Sequence, residues 1–207
     1  MKDLHNKGMV YMQRLSSFSE NNHAQIGDKY EGYTEIYTPE DSKIIVNNKL
    51  MPIIGSFKYR EENSPNPLLF CTYCLSNNQF KNGKNIIDTS CLDFGDTAVV
   101  ITNIGKFTLL LKEAMVKRCQ HCKLYCDKVD YLNFSSHNGN ISYFNKCNTY
   151  IHQNEFRYAI ECNNESCNLK LELGSLKDIS FLCSSKVLLE SLYLNENQNY
   201  IAINSPN

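Results

Sequence analysis

The side chains best suited to chemistry are grouped in the segment Gln153-Asn154-Glu155-Phe156-Arg157. In an extended strand, side chains two positions apart lie on the same face, so Glu155 and Arg157 share a face, and Gln153 joins them if the strand begins that early. A carboxylate beside an amide and an arginine can orient a ribose hydroxyl and stabilise positive charge at an anomeric carbon. The group is therefore suited to glycosyl transfer from a nucleotide. The alternative is a solvated edge strand that carries an ion pair.

A second polar group lies early in the chain, in the loop segment Gly27-Asp28-Lys29-Tyr30-Glu31-Gly32. It combines carboxylates with glycines, as functional loops often do, but the same composition is typical of an ordinary charged turn. The sequence leaves both interpretations open.

The cysteines offer a different chemistry, because Cys119, Cys122 and Cys126 follow one another at short spacings in a chain with ten cysteines. Zinc is the natural hypothesis for such a pattern. A structural zinc site needs four ligands, so a second pair is required, and Cys71 with Cys74, Cys147, or Cys162 with Cys167 could supply it. The alternative is that the cysteines are reduced thiols that pack as small apolar residues. Because the N-terminus has no apolar run typical of a secretory signal, a disulfide framework is not expected.

Local patterns predict an α+β fold with a mixed, mainly antiparallel β-sheet and a few helices. Apolar spacing predicts a helix over 104–118 and a shorter one over 186–194. Alternation and turn residues predict a hairpin over 43–54 and antiparallel pairing of 156–160 with 169–173. Further strands are expected at 8–13, 68–75, 97–102, 124–134 and 179–183.

Chain length, net charge and the absence of common motifs limit the domain organisation and the possible function classes. We expect one domain over residues 1–194 and a polar tail over 195–207. The 21 basic residues nearly cancel the 22 acidic ones, which argues against disorder and against general attraction to nucleic acids. The absence of a long apolar segment predicts a soluble, cytoplasmic protein with no membrane partner. No nucleophile elbow, Walker loop, dinucleotide glycine fingerprint or zinc-protease motif is present, so the commonest hydrolase, triphosphatase, dehydrogenase and metalloprotease interpretations are excluded.

Five stretches of the chain resemble a group of bacterial and phage proteins with an ADP-ribosyltransferase-like architecture, some of them tied to abortive infection. These are the early strand 8–12 with Asp28-x-x-Glu31-Gly32, the segment 94–102, the segment Gln153-x-Glu155-Phe156-Arg157, and the segment 173–179. Together the stretches span most of the chain.

The resemblance implies an NAD-dependent transferase, such as a toxin or a factor in phage–host conflict, that modifies a protein or nucleic-acid acceptor. Gln153 and Glu155 match the pair that leads the catalytic strand in ADP-ribosyltransferases, where the glutamate grips the nicotinamide ribose. Arg14, with His5 as the other candidate, would hold the dinucleotide. Arg157 would lock Glu155 or bind phosphate.

In the same family-based interpretation, Glu31 fixes the early loop over the cleft together with Asp28, and Tyr30 is one candidate for stacking on the nicotinamide ring.

The alternative function is a non-catalytic binding module, stapled by zinc through Cys119, Cys122 and Cys126, that recognises a protein or nucleic-acid partner. Glu155 discriminates between the two hypotheses. It should lie in a cleft if it is catalytic and on an open face if it is not.

Overall fold

The computed structural model describes residues 1–20, 27–40, 42–76, 79–81, 84–85, 87–118, 121–162, 168–195 and 200–203. Within these ranges the α-helices are α1 (Lys2–Lys7), α2 (Leu15–Ser19), α3 (Ile104–Arg118) and α4 (Ser185–Ser191). In the part of the chain that the structure describes, 3-10 helices span Thr89–Phe94 and Asn148–Gln153.

The strands, in chain order, are β1 (Met9–Arg14), β2 (Glu35–Tyr37), β3 (Ile44–Val46), β4 (Lys49–Met51), β5 (Phe57–Tyr59), β6 (Leu68–Tyr73), β7 (Phe80–Lys81), β8 (Lys84–Asn85), β9 (Thr97–Ile101), β10 (Lys123–Lys128), β11 (Asp130–Leu132), β12 (Gly139–Asn140), β13 (Asn145–Cys147), β14 (Glu155–Glu161), β15 (Asn168–Glu172), β16 (Ser180–Ser184), β17 (Leu192–Asn195) and β18 (Tyr200–Ile203). They pair antiparallel, except for the parallel pair β11 and β13. The expected α+β class with mainly antiparallel sheets is confirmed.

The central sheet has the strand order β10-β14-β6-β1-β15. Helix α3 packs on one of its faces, where Phe107, Leu111 and Met115 are buried at the helical spacing that the sequence predicted. The Asn103 side chain accepts a hydrogen bond from the Lys106 amide at 2.9 Å and so satisfies one free donor at the start of this helix. No helix in the described ranges is long and apolar enough to cross a membrane.

The other face of the central sheet carries the polar residues that concern function. Leu69 and Ala159 form a small apolar patch there with Leu15 of α2. Near this face lie two smaller sheets, β12-β2-β5 and β11-β13, whose shared core contains Ile36, Phe134 and Cys147. Strand β13 and the loop before β2 therefore bring additional side chains to the start of β14.

The predicted hairpin over 43–54 is confirmed as β3 and β4. Asn47 and Asn48 form its turn with φ values of 49° and 59°, the left-handed conformation that a two-residue hairpin turn requires and that asparagine tolerates well.

The predicted pairing of 156–160 with 169–173 is wrong. Strands β14 and β15 belong to one sheet, but β6 and β1 lie between them. The alternation around Arg157 suggested a wet face, whereas β14 is almost entirely buried. Its buried Arg157 is paired with Glu155 of the same strand and with Glu31 of the early loop. Within the predicted tail at 195–207, residues 200–203 form β18 and pair with β17.

Candidate active site

A fully buried guanidinium organises the polar face of the central sheet. Arg157 is only 1% exposed, and its Nε donates to Glu155 Oε2 at 2.8 Å. Nη1 donates to the Tyr143 carbonyl at 2.6 Å and to Glu31 Oε2 at 3.3 Å, while Nη2 donates to Glu31 Oε1. The planar fork thus joins two carboxylates, one on β14 and one on the early loop.

A second cation, Lys146 on β13, joins Glu155 to Gln153. Its Nζ lies 2.6 Å from Glu155 Oε1 and 2.7 Å from Gln153 Oε1, and the side chain is 4% exposed. The ammonium also lies 4.7 Å from the centroid of the Tyr150 ring. Both oxygens of Glu155 are therefore held by cations, and the carboxylate and the amide oxygen converge on one point.

A backbone turn at Asn154 makes this convergence possible. Gln153 ends the second 3-10 helix rather than lying on the strand, and Asn154 adopts the left-handed conformation at φ 39° and ψ 54°. The Asn154 side chain donates to the Cys74 carbonyl, and the Cys74 amide donates to the Asn154 carbonyl at 2.8 Å. These contacts fix the turn between Gln153 and Glu155.

Electrostatics keep Glu155 ionised. Burial alone would raise the pKa of this carboxyl, but Arg157 and Lys146 more than compensate and lower it to about 2. Burial raises the pKa of Glu31, although the positive charge of Arg157 acts to lower it. Burial also raises the pKa of Asp28, whose Oδ1 accepts a hydrogen bond from the Tyr30 amide at 2.9 Å.

Neutral donors and acceptors surround the charged residues. The Glu155 amide donates to the Tyr131 hydroxyl at 2.9 Å, and the Tyr150 hydroxyl donates to the Gly27 carbonyl at 3.1 Å. Burial raises the pKa of Cys71 to about 12, so its thiol stays protonated at neutral pH and is a poor nucleophile. The ionised Glu155 carboxylate, rather than this thiol, can therefore stabilise positive charge that develops nearby.

A small cavity of about 70 Å³ opens beside these residues. Its polar lining consists of Glu155, Arg157 and Lys146, and the remaining lining residues are Phe18, Leu69, Cys71 and Phe94. Glu155 thus lies in a recess rather than on an open face. Lys146 and Arg157 give this part of the lining positive charge beside the Glu155 carboxylate.

The structure brings Gln153, Glu155, Arg157 and Glu31 together, but not Arg14. Strand register pairs Arg14 with Leu68, which places it on the α3-packed face of the sheet, opposite the face of Glu155 and Arg157. Its guanidinium donates to the Asn66 carbonyl at 2.6 Å. The other early candidate, His5, lies on α1 with its Nδ1 2.9 Å from the Ser180 hydroxyl.

Tyr30 lies outside the lining of the cavity. Its ring packs edge-on against Phe134 at 5.5 Å between centroids, and the Lys58 ammonium lies 4.3 Å from its centroid. It does not line the cavity, whose aromatic lining residues are Phe18 and Phe94.

Lys146 is the residue that the sequence did not reveal. It lies in a short strand within a mixed polar and aromatic stretch, where no spacing links it to Glu155 nine residues later. Only the turn at Asn154 and the parallel pairing of β11 with β13 bring the two side chains together.

The cysteines at the end of α3 are arranged differently from the predicted set. Cys122 forms a disulfide with Cys162, which corrects the expectation that neither residue is disulfide-bonded. Cys126 is an exposed free thiol on β10, and Cys119 lies outside the described residues. Among the residues that the structure describes, no group of three or more His, Cys, Asp or Glu side chains is placed to hold a metal ion.

Comparison with known proteins gives no further identification. No family model matches the chain, and neither the curated proteins nor the solved structures include a match to it. The function of the chain must therefore be inferred from the geometry of the site.

Proposed function

We propose that this chain is an NAD-dependent ADP-ribosyltransferase that modifies a macromolecular acceptor, with Glu155 as its catalytic carboxylate. The observation that carries the proposal is the convergence of Gln153 Oε1 and Glu155 Oε1 on Lys146 Nζ, at 2.7 and 2.6 Å, beside the cavity. Two acceptors that already share one donor group are preorganised for the hydroxyls of a ribose or an acceptor.

In this proposal a ribose hydroxyl takes the place of the Lys146 ammonium on Glu155. Lys146 then turns toward the phosphates of NAD, because its flexible stem carries a mobile point charge. Arg157 keeps Glu155 Oε2 fixed at 2.8 Å throughout. The low pKa of Glu155, about 2, ensures that the carboxylate is negative when the ribose develops positive charge.

The bond changes follow from this arrangement. The bond between the ribose C1′ and the nicotinamide nitrogen breaks, and its electron pair leaves with nicotinamide. The acceptor nucleophile forms the new bond to C1′ and loses its proton to water. Gln153 orients the acceptor through the amide oxygen that Lys146 vacates.

The size of the cavity limits which part of NAD can enter. At about 70 Å³ it is well below the ~300–1,000 Å³ of pockets that enclose whole ligands. Only the nicotinamide end would be enclosed, with Phe18 and Phe94 as stacking partners, and the remaining dinucleotide would lie across the surface. Phe94 is 49% exposed and so is accessible from that surface.

The test is calorimetric titration with NAD, combined with an assay for nicotinamide release. We expect saturable binding and release by the wild-type chain, and loss of release in Glu155→Gln. Glu172→Gln is the matched control, because Glu172 is an exposed carboxylate on β15. Circular dichroism must show that each variant is folded. A folded wild-type chain that neither binds NAD nor releases nicotinamide overturns the proposal.

A second candidate function is a non-catalytic module that binds a protein or nucleic-acid partner. The observation that favours it is the saturation of Glu155, both of whose oxygens already accept from cations. Under this hypothesis the ion pairs serve only to hold the early loop on the sheet. The same titration separates the two functions, since the module requires no affinity for NAD.

A further inference from the structure

One end of the strand pair β10 and β14 holds two cysteines against each other. Lys123 and Glu161 are opposite partners in the sheet, so Cys122 and Cys162 occupy the next opposed position beyond them. Their Cα atoms are 4.7 Å apart, and their sulfurs form a disulfide. Both residues pack against the core cluster beneath α3, as do Ala114 and Leu169.

Each of these cysteines has a second cysteine close by in the sequence. Cys119 precedes Cys122 by three residues, and Cys167 follows Cys162 by five. Arg118, the last residue of α3, is bonded to Cys119, and Asn168, the first residue of β15, is bonded to Cys167. Cys119 and Cys167 themselves lie outside the described residues, and each is tied to a described element by a single peptide bond.

The disulfide uses two sulfurs of a set of four. The sequence has two pairs, spaced as Cys-x-x-Cys and Cys-x-x-x-x-Cys, and the fold places one member of each pair opposite the other. Four cysteines are the number of thiolates that a tetrahedral structural zinc site requires. Lys117 and Arg118 before the first pair and Lys123 after it offset the negative charge that four thiolates bring.

We propose that the reduced chain binds one Zn²⁺ through Cys119, Cys122, Cys162 and Cys167. A dithiol reductant converts the Cys122–Cys162 disulfide into two thiols and is itself oxidised to a disulfide. Zn²⁺ then displaces the four thiol protons. The metal ties the end of α3 and the start of β10 to the end of β14 and the start of β15.

The ligands predicted from the sequence included Cys126, whereas the proposed site does not use this residue. Cys126 is four residues farther along β10, about 13 Å from Cys122 at ~3.3 Å per residue, and it pairs with Tyr158 in the sheet. A single ion with Zn–S bonds of about 2.3 Å does not reach both sulfurs.

The experiment measures zinc by mass spectrometry in protein purified with a reductant, and zinc release when a thiol reagent is added. We expect about one zinc per chain, in keeping with a single four-thiolate site. Zinc content should fall at least tenfold in Cys162→Ser and Cys167→Ser and stay unchanged in the controls Cys126→Ser and Cys183→Ser. Both controls replace free thiols that lie outside the set.

Because the serine variants can fail to fold, Co²⁺ titration of the wild-type chain provides an independent reading. A tetrahedral four-thiolate absorption spectrum at one Co²⁺ per chain supports the site. The proposal is overturned if the reduced wild-type chain binds neither ion, or if zinc is lost in Cys126→Ser but kept in Cys162→Ser. Neither result depends on NAD binding, so this site and the proposed transferase activity are tested separately.

Discussion

The Arg157 guanidinium donates to Glu155 Oε2 at 2.8 Å from a position two residues farther along the same strand. Its other end grips Glu31, 126 residues away in the chain. One side chain thus sets the direction of the candidate catalytic carboxylate and attaches the early loop to the sheet. Stability and site geometry should therefore respond together to changes at Arg157.

Replacement of Arg157 by methionine should lower the free energy of unfolding by about 3–5 kcal/mol, because it leaves the buried Glu31 carboxylate without its cation. Arg157→Lys should also destabilise the protein, since an ammonium cannot span both carboxylates as the fork does. Urea denaturation of the two variants measures the effect.

Arg14→Met is the matched control for this prediction. Arg14 is partly exposed and donates to a backbone carbonyl outside the cluster, so its loss should change the free energy of unfolding by no more than about 0.5 kcal/mol. Equal losses at Arg14 and Arg157 would show that the buried pairing is not the source of the stability.

Acid should weaken the fold through Glu155. Its folded-state pKa, about 2, lies below the ordinary value of 4.5, so the ionised group stabilises the folded state above pH 4.5. That contribution, about 3 kcal/mol for this shift, is lost as the pH falls from about 4.5 to about 2.

Denaturation curves of the wild-type chain and Glu155→Gln across this pH range provide the measurement. The stability difference between them should shrink steadily as the pH falls, because the wild-type carboxyl becomes protonated. Glu172→Gln, on an exposed strand position, should show no such trend. A difference that stays constant with pH would contradict the assigned role of the ionised carboxylate.

Local sequence patterns were sufficient for several elements of the fold. The periodic apolar residues Phe107 and Leu111 predicted α3, and the two asparagines at 47–48 predicted the β3–β4 turn, because these signals arise within a few neighbouring residues. Pairing of distant strands is not encoded locally. The insertion of β6 and β1 between β14 and β15 depends on which faces are buried, so the predicted pairing of 156–160 with 169–173 was wrong.

In the candidate site, too, the sequence predicted contacts within one strand but not contacts between distant parts of the chain. The pair Glu155 and Arg157 followed from strand parity, and both residues indeed lie on one face. Lys146 and the bidentate contact with Glu31 come from other elements, and no spacing in the sequence indicates them. Arg14 was assigned by its early position alone, and register places it on the opposite face.

Gly8 should be intolerant of any side chain. It ends α1 at φ 64°, and a Cβ there would lie 2.2 Å from the Gly174 carbonyl oxygen. Gly8→Ala should therefore cost more than the ~1–2 kcal/mol of a left-handed alanine, since the clash adds to it. Gly105→Ala, in the first turn of α3, is the control. A Cβ at Gly105 would lie 3.7 Å from Asn103 Oδ1, which is an ordinary contact. Alanine should therefore stabilise that helix by up to ~1 kcal/mol. Thermal or urea denaturation should give opposite signs for the two.

Asn154 should link backbone conformation to the proposed chemistry. Its left-handed conformation at φ 39° turns the chain so that Gln153 and Glu155 meet at Lys146. Asn154→Gly keeps that conformation accessible, whereas Asn154→Ala makes it cost about 1–2 kcal/mol, and both lose the side-chain bond to the Cys74 carbonyl.

We therefore expect Asn154→Ala to be less stable than Asn154→Gly and to release nicotinamide more slowly, by about tenfold if roughly 1.4 kcal/mol of alignment is lost. Urea denaturation and the nicotinamide assay on the same samples test both points. If the two variants release nicotinamide equally fast while differing in stability, the turn serves the fold alone, and the convergence of Gln153 and Glu155 is not required for catalysis.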